Sequence, residues 1–81
     1  MSTFERVKAV IKESAERTPD NITEESRLIE DLGIDSLDRV YMALNLENEF
    51  SAEGLEVLDS DMEDFKTVHD IVAYIDARAR S

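Results

Sequence analysis

The 81 residues carry 20 Asp and Glu against 9 Lys and Arg, a formal net charge of −11, and make one small acidic domain. That charge excludes nucleic-acid binding by phosphate neutralisation and adhesion to an anionic membrane, and no apolar run approaches the roughly 18 residues of a membrane span. With no cysteine there are no disulfides, thiolate metal sites or cysteine nucleophile; Met1 to Arg6 lack a signal peptide's apolar core, so a cytoplasmic, soluble monomer without membrane insertion is the expectation.

With 2 Gly and 1 Pro the chain has few breakers and leans helical. A first helix is predicted from Thr3 to Glu16, with Phe4, Val7, Val10, Ile11 and Ala15 on one stripe. Ser2 or Thr3 caps its start and Pro19 ends it, since proline pushes the residue before it out of the helical region. From Arg17 to Asp35 runs a long first loop without a sustained period. Leu28, Ile29 and Leu32 are its apolar anchors, and Thr23 to Ser26 suits a short turn. Loops of this length inside a small domain are functional or disordered, and the anchors argue that this one packs.

A second helix is predicted from the Gly33–Asp38 segment to Phe50. Asp35 or Ser36 stands at the cap, and Asp35 with Asp38 puts negative charge on the helix's positive end. At about 100° per residue, Met42, Ala43, Leu46 and Phe50 cluster on one side and Leu37, Val40, Tyr41 and Leu44 on the other. Asp38, Asn45 and Glu49 form one polar seam and Glu47 marks the other. A helix apolar on two sides is buried all round or shared with a partner. A domain this small has little to cover both, so one stripe faces the core and the other awaits a partner.

Ser51 to Asp61 is a second connection, with Gly54 and an apolar patch at Leu55, Val57 and Leu58; a short helix fits Asp61 to Phe65. Thr67 opens the last helix with Asp70 as a capping-box partner. Val68, Ile71, Val72, Ile75 and Ala79 form its core stripe, and Arg78 and Arg80 suit its negative end. The fold expected is all-α, a small four-helix bundle of three main helices and one short one.

The charge is unevenly spread. Glu30 to Asp64 holds twelve acids and one base, Arg39, while the remainder is neutral. A field of one sign steers partners of the other, so basic-surfaced proteins are the expected partners.

Catalysis finds little support. Ser36 lacks a G-x-S-x-G context, and the single histidine, His69, has nothing in sequence to bring it to Ser36 as a base. A hydrolase is therefore disfavoured, and no catalytic residue is assigned. Asp59 to Asp64 starts like a calcium loop, but Asp64 and Asp70 stand where Gly and bidentate Glu are needed, so no metal is expected. Ser36 is left as either a helix cap or a handle that another enzyme modifies. The mouth of a helix favours a phosphate there. An acidic helical adaptor that binds basic partners without carrying a covalent group is the alternative.

Asp31-Leu32-Gly33-Ile34-Asp35-Ser36-Leu37-Asp38 resembles the D-L-G-x-D-S-L-D signature of acyl carrier proteins. The similarity extends through Glu47, Glu49 and Phe50 to Thr67-Val68 and Ala73-Tyr74-Ile75, nearly the whole chain, as a single acyl-carrier-like domain over residues 1–81. The resemblance implies that Ser36 is esterified with 4′-phosphopantetheine, taken from coenzyme A by a phosphopantetheinyl transferase. The arm's thiol then carries acyl groups as thioesters between enzymes of fatty-acid, lipid or polyketide-type synthesis. It further implies docking of basic synthases or acyltransferases on Asp35, Leu37, Asp38, Val40, Tyr41, Leu44 and Glu47, and an acyl-chain cleft served by the adaptable Met42, Leu46 and Met62. Tyr41, Arg39, Asn45 and Asn48 depart from the family's usual docking helix, the 51–65 segment is longer and lacks an I-P step, and a specialised member is expected.

Overall fold

In a computed structural model of the chain, residues 2–15, 18–19 and 21–78 are described. Four α-helices follow in order: α1 Thr3–Ser14, α2 Ser36–Glu49, α3 Asp59–Met62 and α4 Val68–Arg78. Among the described residues there is no sheet, only an isolated antiparallel bridge between Arg27 and Thr67. No helix of the described residues is long and apolar enough to cross a membrane.

Helix α1 starts where Ser2 Oγ accepts the Glu5 N–H, which identifies Ser2 as the cap. Val7, Val10 and Ile11 bury its stripe against α2 and α4, at about 1.5–3 kcal/mol of hydrophobic transfer each. The helix ends at Ser14, before the expected Glu16 and well before Pro19. Ala15 turns extended, and the Ser14 hydroxyl donates to the Val10 carbonyl (2.7 Å) while accepting from Asn45 Nδ2 (3.0 Å). The helix stops five residues before Pro19, so Pro19 is not its immediate terminator. Glu16 and Arg17 lie outside the described residues, as do Ala79 and Arg80 of the predicted last helix.

The long first loop is packed, as its anchors imply, but the anchors differ. Leu28 and Leu32 are buried, whereas Ile29 is 58% exposed; Ile22 and Ile34, unassigned from the sequence, are buried instead. The turn at Thr23–Ser26 closes with the Ser26 N–H on the Thr23 carbonyl (3.1 Å). The loop is pinned to the start of α4, since Leu28 N–H donates to Lys66 O (2.9 Å) and Val68 N–H to Ser26 O (3.0 Å).

The second connection holds a single 3₁₀ turn at Ser51–Glu53, closed by Gly54 at φ +76. Leu55 and Val57 are buried and Leu58 is exposed. Helix α3 spans Asp59–Met62, earlier than the expected Asp61–Phe65, because Leu58 in extended conformation starts it and the chain turns at Glu63. So short a helix needs outside support. Met62 and Phe65 are buried, Phe65 packs edge-on to Tyr74 (5.1 Å between centroids), and the Tyr74 hydroxyl donates to Asp61 (2.7 Å). Burial, then the Asp61 bond, push the Tyr74 phenol above its ordinary pKa.

Helix α4 carries the predicted capping box. Thr67 N–H donates to Asp70 Oδ2 (3.1 Å) and Asp70 N–H to Thr67 Oγ1 (3.3 Å). Val68, Ile71, Val72 and Ile75 complete the core. Arg78 lies 3.8 Å above the Tyr74 ring.

Candidate functional site

The first turn of α2 is set from both sides. Gly33, at φ +67, allows the reversal that sends Ile34 into the core, and Ile34 N–H donates to Leu28 O (2.8 Å). Asp35 follows in extended conformation and caps the helix. Its carboxylate accepts the Asp38 N–H (2.9 Å), and the Asp38 carboxylate faces the Asp35 N–H at 3.4 Å. Between them stands Ser36, the first residue of α2 and exposed.

Asp35 does the capping, so the Ser36 hydroxyl is spare: it bonds to no side chain or backbone group among the described residues. It edges a cleft of about 290 Å³ between α2 and α3, also lined by Arg39, Val40, Ala43, Asp59, Met62 and Glu63. Of the three residues expected at an acyl-chain cleft, Met62 lines it; Met42 and Leu46 sit fully buried in the core. Arg39, Asp59 and Glu63 were not assigned to the cleft from the sequence, because the α2–α3 approach leaves no local signal.

On the outer side of α2, Leu37 (61%), Val40 (58%), Tyr41 (51%) and Leu44 (56%) are exposed, while Met42, Leu46 and Phe50 are buried. The two apolar stripes divide as the angular spacing predicts. Glu47 is engaged locally: its carboxylate accepts the Val57 N–H (2.9 Å) and ties the second connection to α2. Glu49 and Glu53 are engaged too, by the Arg6 guanidinium (2.8 and 2.6 Å), which lies 4.0 Å above the Phe50 ring. The Arg6 hydrogen bond holds the Glu53 carboxyl below the usual range, and the two glutamates raise Arg6. No local spacing announces this cluster, which joins α1 to the far end of α2.

His69 does not serve Ser36. Its Nδ1 lies 3.0 Å from Glu24 Oε1, and it takes no part in the Ser36 cleft. No group of described residues could hold a metal ion. The larger hollow, about 690 Å³, lies between α1, α2 and the end of the first loop, where Gly33, Asp38, Tyr41 and Asn45 line it and Ser36 does not.

A serine with a spare hydroxyl, held on a helix end beside a cleft that Val40, Ala43 and Met62 line together with Arg39, Asp59 and Glu63, offers a point at which another enzyme can attach a group. The comparisons agree. Residues 5–75 match the family model described as "Phosphopantetheine attachment site". The acyl carrier protein of Helicobacter hepaticus is 48% identical over 77 residues, covering 95% of this chain and 97% of that one. That of Thermotoga maritima is 44% identical over 75 residues, covering 93% and 89%. A proposed acyl carrier protein from Mycobacterium tuberculosis superposes with a TM-score of 0.81 at 30% identity, covering 94% of this chain and 97% of that one. The chain belongs to the acyl carrier proteins, the family built on a phosphopantetheine attachment site. It is a non-catalytic carrier that shuttles acyl groups on a covalent 4′-phosphopantetheine, and the adaptor alternative falls away.

Proposed function

We propose that Ser36 is the attachment residue and that residues 1–81 act as one carrier domain. The spare, exposed Ser36 hydroxyl on the first turn of α2 carries this reading. The residues suit the group: free N–H groups at a helix start favour a phosphate, and the adjoining cleft offers Val40, Ala43 and Met62 to an apolar chain. When attached, the arm supplies a thiol that holds acyl groups as thioesters. Met62 is adaptable enough to widen the cleft, with Met42 and Leu46 behind it in the core. A cleft of this kind shields a reactive carbonyl from water.

The docking surface proposed is the exposed stripe Leu37, Val40, Tyr41 and Leu44, flanked by Asp35 and Asp38. The apolar centre supplies contact area and the acids steer basic partners: the transferase, then synthases or acyltransferases. Glu47 contributes to that field while anchoring Val57. Charge of this kind gives fast, brief encounters, which suits a carrier that visits several enzymes in the cytoplasm. Tyr41 and Arg39 support a specialised member with a dedicated partner. Incubation with coenzyme A and a phosphopantetheinyl transferase is expected to add one phosphopantetheinyl mass to the protein and none to Ser36→Ala. Equal loading of the variant overturns the assignment.

A further inference from the structure

We propose that Arg39 binds the phosphodiester of the arm and fixes its root against the α2–α3 cleft. The inference rests on the Ser36 assignment above. Arg39 is the single base among residues 30–64, in a stretch with twelve acids. It follows Ser36 by three residues, and in a helix such residues are neighbours on one face. Both line the same cleft. Arg39 also lines the next groove, of about 440 Å³, with Ile29, Glu30, Glu63 and Lys66, so it marks the ridge between the two hollows.

The guanidinium is unengaged. Arg6 and Arg27 each take two carboxylates, yet among the described residues no carboxylate lies within 4.0 Å of the Arg39 side chain and no acceptor is bonded to it. Asp59 and Glu63 nevertheless line the opposite wall, and Asp35 and Asp38 flank the serine. Those four carboxylates oppose a further anion at Ser36. A phosphodiester is the anion that attachment places nearest to Arg39. A planar guanidinium bonds phosphate oxygens in pairs, and it offsets the local acids. Arg39 is thereby a positioning residue: it directs the arm along Val40 and Met62 rather than into solvent.

The test uses the full chain, unloaded and loaded, with loading confirmed by intact mass. The Arg39 Nε–Hε signal is expected to shift on loading and to exchange with solvent about tenfold more slowly, as for a charge-assisted bond, while that of Arg6 stays put. In loaded Arg39→Gln the ³¹P signal is expected to move to the position it takes in urea-unfolded protein, with Arg39→Lys between. The Arg39 side chain makes no bond to the described residues, so both variants are expected to keep the wild-type urea midpoint. A fully loaded protein whose Arg39 signal ignores loading, or whose ³¹P signal is unchanged in Arg39→Gln, overturns the inference and leaves Ser36 as the attachment residue. An Arg39 signal that answers Glu63→Gln but not loading makes Arg39 a latch across the cleft, and overturns it equally. A chain that never gains mass fails at Ser36, and the inference falls with it.

Discussion

At the C-terminal end of α2, Phe50 is 1% exposed beneath the Arg6 guanidinium, which also bonds Glu49 and Glu53. At the N-terminal end the apolar side chains of Leu37, Val40, Tyr41 and Leu44 face outward, and the Ser36 hydroxyl and Arg39 guanidinium lack partners among the described residues. The same helix is thus tied into its own fold by Arg6 at one end, while the stripe that begins at the other end is exposed among the described residues. Acidic residues occur at both, so charge count alone does not separate a docking surface from an internal ion-pair cluster. What separates them is whether a base from the same chain already occupies the carboxylates.

Substitutions at the two ends sharpen that contrast. Phe50→Ala is expected to cost about 3–5 kcal/mol in urea unfolding, since it empties a closed core position. Leu44→Ala is expected to cost at most about 0.5 kcal/mol there. The same Leu44 change is expected to lower kcat/KM for transferase loading severalfold, because its side chain is exposed on the stripe. Equal stability losses from the two would break the comparison. Next in size is Asp35→Ala. It removes the α2 cap and is expected to cost about 1 kcal/mol, whereas Ser36→Ala stays within about 0.5 kcal/mol of wild type. A Ser36→Ala cost matching that of Asp35→Ala would show the serine to be a cap.

How much of this was legible in the sequence depends on range. The split of α2 into two stripes follows from its 3.6-residue period, and Thr67 with Asp70 announced the α4 cap at a spacing of three. The signature around Ser36 pointed to the first turn of α2, where the structure leaves the serine exposed. Contacts between distant segments carried no such period. Arg6 on Glu49 and Glu53, Asn45 on Ser14, and Glu47 on Val57 join residues chosen by tertiary packing. Ile29 and Ile34 are equally apolar, and only the turn at Gly33 decides which one is buried. The α3 boundaries shifted for the same reason: Tyr74 and the buried Met62 fix them, not local propensity.

The smallest expected effect lies away from both ends. The Lys66 N–H, aided by Thr67, holds the Asp70 carboxyl below the usual aspartate range. A depressed folded-state pKa gives stability that is full above the ordinary aspartate value and lost as pH falls through the folded one. Stability is therefore expected to fall below about pH 4, with a shallower fall in Asp70→Asn. An unchanged acid slope in that variant would assign the effect to other carboxylates, such as Glu53, which Arg6 holds low.

The central claim is that the open end of α2 presents Ser36 as the arm's attachment point. Fragment-ion mass spectrometry of the transferase-treated chain locates the added group to a residue. The account predicts a single phosphopantetheinyl group on Ser36. The group on Ser26, Ser51 or Ser60, or no group at all on a correctly folded chain, would contradict it.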